Sequence, residues 1–307
     1  MFRFKREQNV VNLAGVRMGG QPGELASVLC GTIFYQGHKI VEDEERGLFD
    51  RAAAERLVSR QGELSDETGC PSVLHIYARS SEAFSRYLDF TEKAWSGPFI
   101  IDSADPATRM AAAAMLSELG YADRAIYNSI SLATDEAEAR AIRDSEVDSA
   151  IILAYNPTQP GVEGSLAVLE TGGAAREKGL LDAARDMGIK NQLIDPAVLP
   201  LGSGAGAALR FSVAAKARLG YPVGSGIHNA VSSWPWLAEK GAAAKRGCDA
   251  AAAAMQLLSA ADFLLYGPIE SAEIIFPAAA MADILIAEAV QDLEIAPSDA
   301  HPLHRLV

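Results

Sequence analysis

"PFIIDSADPATRMAAAAMLSELG", residues 98–120, decides how the rest of the chain is read. It opens with an apolar run, Phe99 to Ile101, that shows no polar alternation and stops at Asp102. Asp105 and Pro106 follow, an N-cap carboxylate and then a proline at the first helical position, where a missing N–H costs nothing. The alanine-rich helical pattern ends at Gly120, a residue suited to the left-handed turn that closes a helix. The next stretch, "RAIYNS" (residues 124–129), is apolar again. A strand with two apolar faces is covered on both, so this unit predicts strand, helix and strand in a parallel sheet flanked by helices.

The same alternation extends in both directions. Upstream are the runs "SVLCGTIFY" (27–35) and "SVLHIYA" (72–78). A helical stretch from about Phe49 to Arg60 separates them, and a helix capped by Ser80 or Ser81 follows. Downstream are "SAIILAYNP" (149–157), "NQLIDP" (191–196), "YPVGSGIHN" (221–229) and "ADFLLYGP" (261–268). The helices between them are expected from about Thr134, around Leu180 to Met187, from about Ala205 to Arg218, and in the alanine-rich stretch around Ala250 to Ala261. A last one is expected from about Pro277. Eight strands and eight helices predict an α/β fold, a (β/α)8 barrel in which residues 1–307 form one domain. An open doubly wound sheet is the competing arrangement. The first 25 residues, with "GGQPGE" at 19–24, are expected to close the bottom of the barrel or lead into its first strand.

Apolar residues make up 49% of the chain and aromatic ones 7%, so the core must be large and chiefly aliphatic. A formal charge of -13 repels phosphate backbones, and no basic stripe interleaves with aromatics. Nucleic acid is therefore excluded as a partner. "VEDEER" at residues 41–46 reads as a solvated surface. Cys30, Cys70 and Cys248 form no C-x-x-C pair, which argues against a disulfide framework or a zinc knuckle. A charged N-terminus with no apolar segment after it, together with reduced thiols, predicts a cytoplasmic protein. No apolar run reaches the ~20 residues a membrane span needs, so no membrane insertion is expected.

Barrel chemistry collects at the carboxyl ends of the strands. Those ends carry Tyr35 and His38, Asp102, Asn128, Asn156, Asp195, His228 and Asn229 after Gly226, and Glu270. Each has a bland reading. Asp102 and Asp195 could cap the turns they precede, Asn128 and Asn156 could be turn formers, and His38 and His75 could be packed or hydrogen-bonded histidines. Independent caps, however, need not converge on one mouth. Several chemistries lack their residues. No strand ends in a lysine suited to a Schiff base. The histidines show neither H-x-H nor H-E-x-x-H spacing, and no G-x-S-x-G elbow occurs. "LGSGAGA" has G-x-G-x-x-A spacing, but the following strand ends without the acid that would hold a ribose. Asp and Asn do suit the pyrimidine edge of a pterin. A carboxylate accepts its adjacent amino and ring N–H donors, and an amide can serve both donor and acceptor positions.

The stretches "VRMGGQPGE", "GTIFYQGHKIVEDE", "PFIIDS", "RAIYNSI", "AYNPTQPGVEG", "GIHNAVSSW" and "FLLYGPIE" resemble the H subunit of tetrahydromethanopterin S-methyltransferase and its soluble bacterial relatives. That family is similar in turn to dihydropteroate synthase and the methyltetrahydrofolate:corrinoid methyltransferases. The resemblance implies a pterin-binding (β/α)8 barrel of the TIM type. It implies methyl transfer between the N-5 nitrogen of a tetrahydropterin and a corrinoid protein, the cobalamin being supplied by that partner. Position by position, it implies that Asp102, Asn128 and Asp195 anchor the pterin; Asn156 and Gly226, at the ends of their strands, are further candidates for the binding site. Asn229 would bond the methyl-bearing nitrogen, and His228 or a water-linked carboxylate such as Asp195 would relay a proton. Tetrahydrofolate is expected over tetrahydromethanopterin from the alanine-rich, self-contained chain, and a homodimer at the family level. The corrinoid partner is expected to dock near Trp234 and Trp236. A dihydropteroate synthase-like condensation and a non-catalytic pterin-binding subunit are the alternatives.

Overall fold

The structure, a computed structural model, describes residues 2–307. Eight parallel strands run β1 (Val28–Ile33), β2 (Ser72–Tyr77), β3 (Phe99–Asp102), β4 (Ala125–Ile130), β5 (Ser149–Leu153), β6 (Asn191–Asp195), β7 (Gly224–Ser225) and β8 (Phe263–Pro268). They pair in the order β6-β5-β4-β3-β2-β1-β8-β7. Between the two edges, Ile194 bridges Val223, and the Ile194 N–H donates to the Pro222 carbonyl at 2.9 Å. That bridge closes the sheet into a barrel and rules out the open doubly wound alternative.

The helices are α1 (Arg51–Thr68), α2 (Ser81–Ala94), α3 (Pro106–Leu119), α4 (Glu136–Asp144), α5 (Val162–Thr171), α6 (Leu180–Asp186), α7 (Gly206–Arg218), α8 (His228–Ser232), α9 (Pro235–Ala238), α10 (Gly241–Leu258), α11 (Ala272–Ala289) and α12 (Pro302–Leu306). Asp105 caps α3 by accepting from the Ala107 and Thr108 N–H groups, and Gly120 ends it at φ +73°. Ser80, not Ser81, caps α2. Several elements differ from the sequence reading: α1 runs to Thr68, past the expected end near Arg60, and α5 forms within a stretch read as a connection. The last helix begins at Ala272, and Pro277 lies inside it. The alanine-rich helix begins at Gly241. β7 pairs over two residues only, and His228 and Asn229 open the helical turn α8 instead of lying in a loop.

Side-chain alternation along each strand separates two kinds of core. Ile33, Leu74, Ile76, Phe99, Ile101, Tyr127 and Ile152 face the helices in one large cluster. Their neighbours Val28, Cys30, Val73, Ile100, Ile126, Ile151, Leu193, Phe263 and Leu265 fill the barrel. Val11, Leu13 and Met18 belong to the same interior cluster. They come from an antiparallel hairpin, Val10–Leu13 paired with Val16–Gly19. The N-terminal segment therefore plugs the bottom, and the barrel opens at the carboxyl ends of its strands.

Candidate functional site

The mouth is built by continuing each strand two residues past the apolar plug, which keeps the side chain on the inner face. Ile100 leads to Asp102, Ile126 to Asn128 and Leu193 to Asp195, while Cys30 leads to Thr32 and Val73 to His75. The register sets Asp102 beside Asn128 and Ile100 beside His75. Asp195 pairs with Leu153, which leaves β5 without a polar residue in this layer. The three predicted anchors therefore share one face of one sheet, directly above the hydrophobic filling.

Hydrogen bonds orient the layer. His75 Nε2 lies 3.0 Å from Asp102 Oδ2, and His75 Nδ1 lies 3.0 Å from Thr32 Oγ1. An ionised carboxylate only accepts, so Nε2 carries the proton and Nδ1 accepts from the Thr32 hydroxyl. Asp102 keeps its second oxygen free and remains 27% exposed at the side chain, open to a ligand. Asp195 is buried, with Oδ1 accepting from the Ala197 N–H at 2.7 Å. Burial raises its pKa to about 7 against the opposing pull of that N–H. Two carboxyl groups in one mouth thus differ in kind, one an acceptor and the other able to keep its proton near neutrality.

Behind β3, a buried network braces Asp102. Glu138 of α4 accepts from Arg109 Nη2 at 2.6 Å and from the Tyr127 hydroxyl at 2.6 Å. Arg109 Nη1 donates to the Ser103 carbonyl at 2.6 Å, immediately after the strand end. Arg109→Met leaves the Glu138 carboxylate buried and unpaired. It should lower unfolding stability by about 3–5 kcal/mol, read as a lower urea midpoint.

The β7 end holds the other candidates. A side chain on Gly226 would place its Cβ 3.0 Å from Asn229 Nδ2 and 3.5 Å from His228 Nε2. A Cβ on Gly267, at φ +84°, would sit 2.5 Å from His228 Nδ1. Glycine at both positions lets the imidazole and the amide lie over the strand ends. Asn229 is exposed and His228 half-buried. Burial, then the charges of His75 and Lys245, lower the His228 pKa to about 4. His228 is consequently neutral at pH 7 and can accept a proton there, but it is not a stored acid.

Asn156 is placed differently. It is buried, and its Oδ1 accepts from the Thr158 N–H, the Thr158 hydroxyl and the Gln159 N–H, so its carbonyl ties its own loop together. On the opposite side, Tyr35, His38 and Glu270 meet. The Tyr35 hydroxyl donates to Glu270 Oε1 at 3.0 Å, and His38 Nε2 lies 3.1 Å from the same oxygen. The Phe34 N–H donates to His38 Nδ1, which places any His38 proton on the nitrogen facing Glu270. Trp234 and Trp236 stack at 4.8 Å, with Trp236 exposed. Sequence reasoning missed His75 and Thr32 as members of the polar layer. The available signal was parity, because each stands two residues past an inward apolar residue. Among the described residues no group of three or more His, Cys, Asp or Glu side chains could hold a metal ion. No helix among them is long and apolar enough to cross a membrane.

A sheet closed by the Ile194–Val223 bridge, plugged at one end by the N-terminal hairpin and polar at the other, is a (β/α)8 barrel. The family model described as the tetrahydromethanopterin S-methyltransferase MtrH subunit matches residues 6–298, and the chain belongs to that family. It is a methyltransferase of the MtrH kind. A Methanosarcina mazei protein, provisionally named as the H subunit of an mtx methyltransferase, is 50% identical over 310 residues, covering all of both chains. The H subunit of tetrahydromethanopterin S-methyltransferase from Methanocaldococcus jannaschii is 48% identical over 319 residues, again covering all of both. Among solved structures, 7,8-dihydropteroate synthase from Vibrio fischeri superposes with a TM-score of 0.59 at 11% identity. The match covers 94% of this chain and 100% of that one, a likeness of fold.

Proposed function

We propose that the mouth binds a reduced tetrahydropterin and moves a methyl group between its N-5 nitrogen and the cobalt of a corrinoid carried by a partner protein. The observation that supports this is that Asp102, Asn128 and Asp195 each stand two residues past an apolar residue of the barrel filling, on the inner face of the strand ends. The names of the curated relatives favour tetrahydromethanopterin as the carrier, whereas composition had pointed to tetrahydrofolate. Their identity to this chain favours methyl transfer over dihydropteroate synthase-like condensation, which shares only the fold.

The residues present fit such a ligand. Ionised Asp102 accepts the paired donors of the pyrimidine edge, and the Asn128 amide serves mixed positions. Asn229, on the β7 side, bonds to N-5. A tertiary amine leaves poorly until its nitrogen is protonated. The partner's corrinoid would supply the two-electron nucleophile that takes the methyl group as the N–CH3 bond breaks, and N-5 would take up a proton. Asp195 supplies that proton, and Asn229 favours the protonated nitrogen, which lowers the barrier selectively. Neutral His228 can take up and pass on a proton but cannot store one.

Asn229→Ala should reduce single-turnover methyl transfer by roughly 10- to 150-fold, the loss of about 1.5–3 kcal/mol, with pterin affinity changed much less. Wild-type turnover would remove Asn229 from the reaction. The acid role predicts a pH profile as well. Asp195 is protonated below about 7 and loses its proton above, so demethylation of the pterin should slow as pH rises through that value. Asp195→Asn should abolish that limb of the profile. A limb that persists in the variant would assign the titration to another group.

A further inference from the structure

Beside the polar layer, on the β7–β8–β1 side, lies a cavity of about 420 Å³. That volume falls within the ~300–1,000 Å³ of small-molecule sites. Its walls include Thr32, Tyr35, His228 and Gly267 at the barrel rim, with Lys245 and Arg246 of α10 across from them. Two of these residues also belong to the mouth. Thr32 begins the hydrogen-bond chain that runs through His75 to Asp102, and His228 precedes Asn229 in α8. The cavity is therefore a side chamber of the mouth.

The geometry of a pterin leads into this chamber. The pyrimidine edge and N-5 lie on different sides of the bicycle, and C-6, which carries the long substituent, is bonded to N-5. With the pyrimidine edge against β3 and β4 and N-5 facing Asp195 and Asn229, the C-6 arm leaves the ring past β7 towards β8. In natural tetrahydropterin carriers this arm ends in carboxylate or phosphate. A chain with a formal charge of -13 needs local cations to receive such a group. Lys245 and Arg246 are exposed, and among the described residues neither is in an ion pair of 4.0 Å or less. The charge of Lys245 reaches His228 on the rim and Asp249 on the same wall. Asp249 sets the arm's acid in competition for Lys245 and leaves Arg246 as the less contested cation.

We propose that the side chamber takes the C-6 arm of the tetrahydropterin, with Lys245 and Arg246 pairing with its terminal carboxylate or phosphate; this rests on the pterin reading above. The phosphate of the corrinoid's nucleotide tail offers similar chemistry from another source, and one set of measurements separates the two.

Calorimetry on the full chain should compare 5-methyltetrahydrofolate with a 5-methyl-tetrahydropterin bearing only a methyl group at C-6. Wild type should prefer the armed ligand, and Lys245→Ala/Arg246→Ala should reduce that preference by about 5- to 30-fold. Affinity for the armless ligand should not change. Lys245→Arg/Arg246→Lys should restore the preference, and added salt should weaken it in wild type and in this swap but not in the double alanine variant. An unchanged preference in the double variant would overturn the proposal. If the double variant instead lost affinity for cobalamin and not for cobinamide, the cations would belong to the corrinoid, and the proposal would again be overturned. Binding of neither pterin by wild type would overturn the pterin reading beneath it as well, whereas an armless ligand that binds without an armed preference sinks this inference alone.

Discussion

Asp102→Ala is expected to weaken methyl-tetrahydropterin binding by about 10²–10⁴-fold, which calorimetry can read directly. The carboxylate is the ionised acceptor of the layer, and a pyrimidine edge offers it two adjacent donors. Each charge-assisted bond contributes about 1.5–3 kcal/mol, and each 1.4 kcal/mol is tenfold in affinity. The substitution also removes the acceptor of His75 Nε2, and with it the order of the chain back to Thr32. The side chain is 27% exposed, so the barrel should still fold. A near-normal melting temperature beside lost binding is the expected pair of results. Asp102→Asn should fall between, because the amide keeps one acceptor and turns an N–H toward either His75 or the ligand. Unchanged affinity in Asp102→Ala would mean that the pterin is held elsewhere.

Lys216→Met is expected to cost the fold about 3–5 kcal/mol, a large share of the 5–15 kcal/mol that separates typical native and unfolded states. Lys216 projects from α7 with a side chain 1% exposed. Its ammonium pairs with Asp262 Oδ1 and donates to the Gly20 carbonyl at 2.9 Å. Asp262 Oδ2 in turn accepts from the Val223 N–H at the start of β7. One cation therefore ties together α7, the segment that follows the N-terminal hairpin, and the seam where the barrel closes. Removing it strands a buried carboxylate, which is worse than never having had the pair. Lys216→Met/Asp262→Asn should recover part of the loss, since no uncompensated charge remains. Equal urea midpoints for the single variant and wild type would show that the pair contributes nothing.

Much of the fold was readable because each strand–helix unit carries its own punctuation. Asp105, Pro106 and Gly120 mark α3 within a few residues, and the apolar runs locate the strands. Asp102, Asn128 and Asp195 were readable as candidates because they stand where an apolar run stops. His75 was not. It lies inside "SVLHIYA", where parity with Val73 turns it inward, but the register that pairs it with Ile100 and Thr32 is what sets it at the height of the mouth. β7 was overread. Gly224 packs so closely on Phe263 that an added Cβ would meet the Phe263 carbonyl oxygen at 2.1 Å. Strand pairing ends at Ser225, and the chain turns helical by His228. Lys216 looks like an exposed helix residue in "AAKAR", because its partner is 46 residues away. Pairings of that range leave no local pattern.

The hairpin under the barrel has a consequence for traffic. With Val11, Leu13 and Met18 wedged into the floor, that end of the barrel is stopped and the doorway lies at the other. On the proposed reaction, a small carrier and a bulky partner that both use it would take turns: the carrier would enter before the partner settles, and the spent carrier would depart only after the partner lifts away. Turnover would then be timed by the coming and going of the larger molecule.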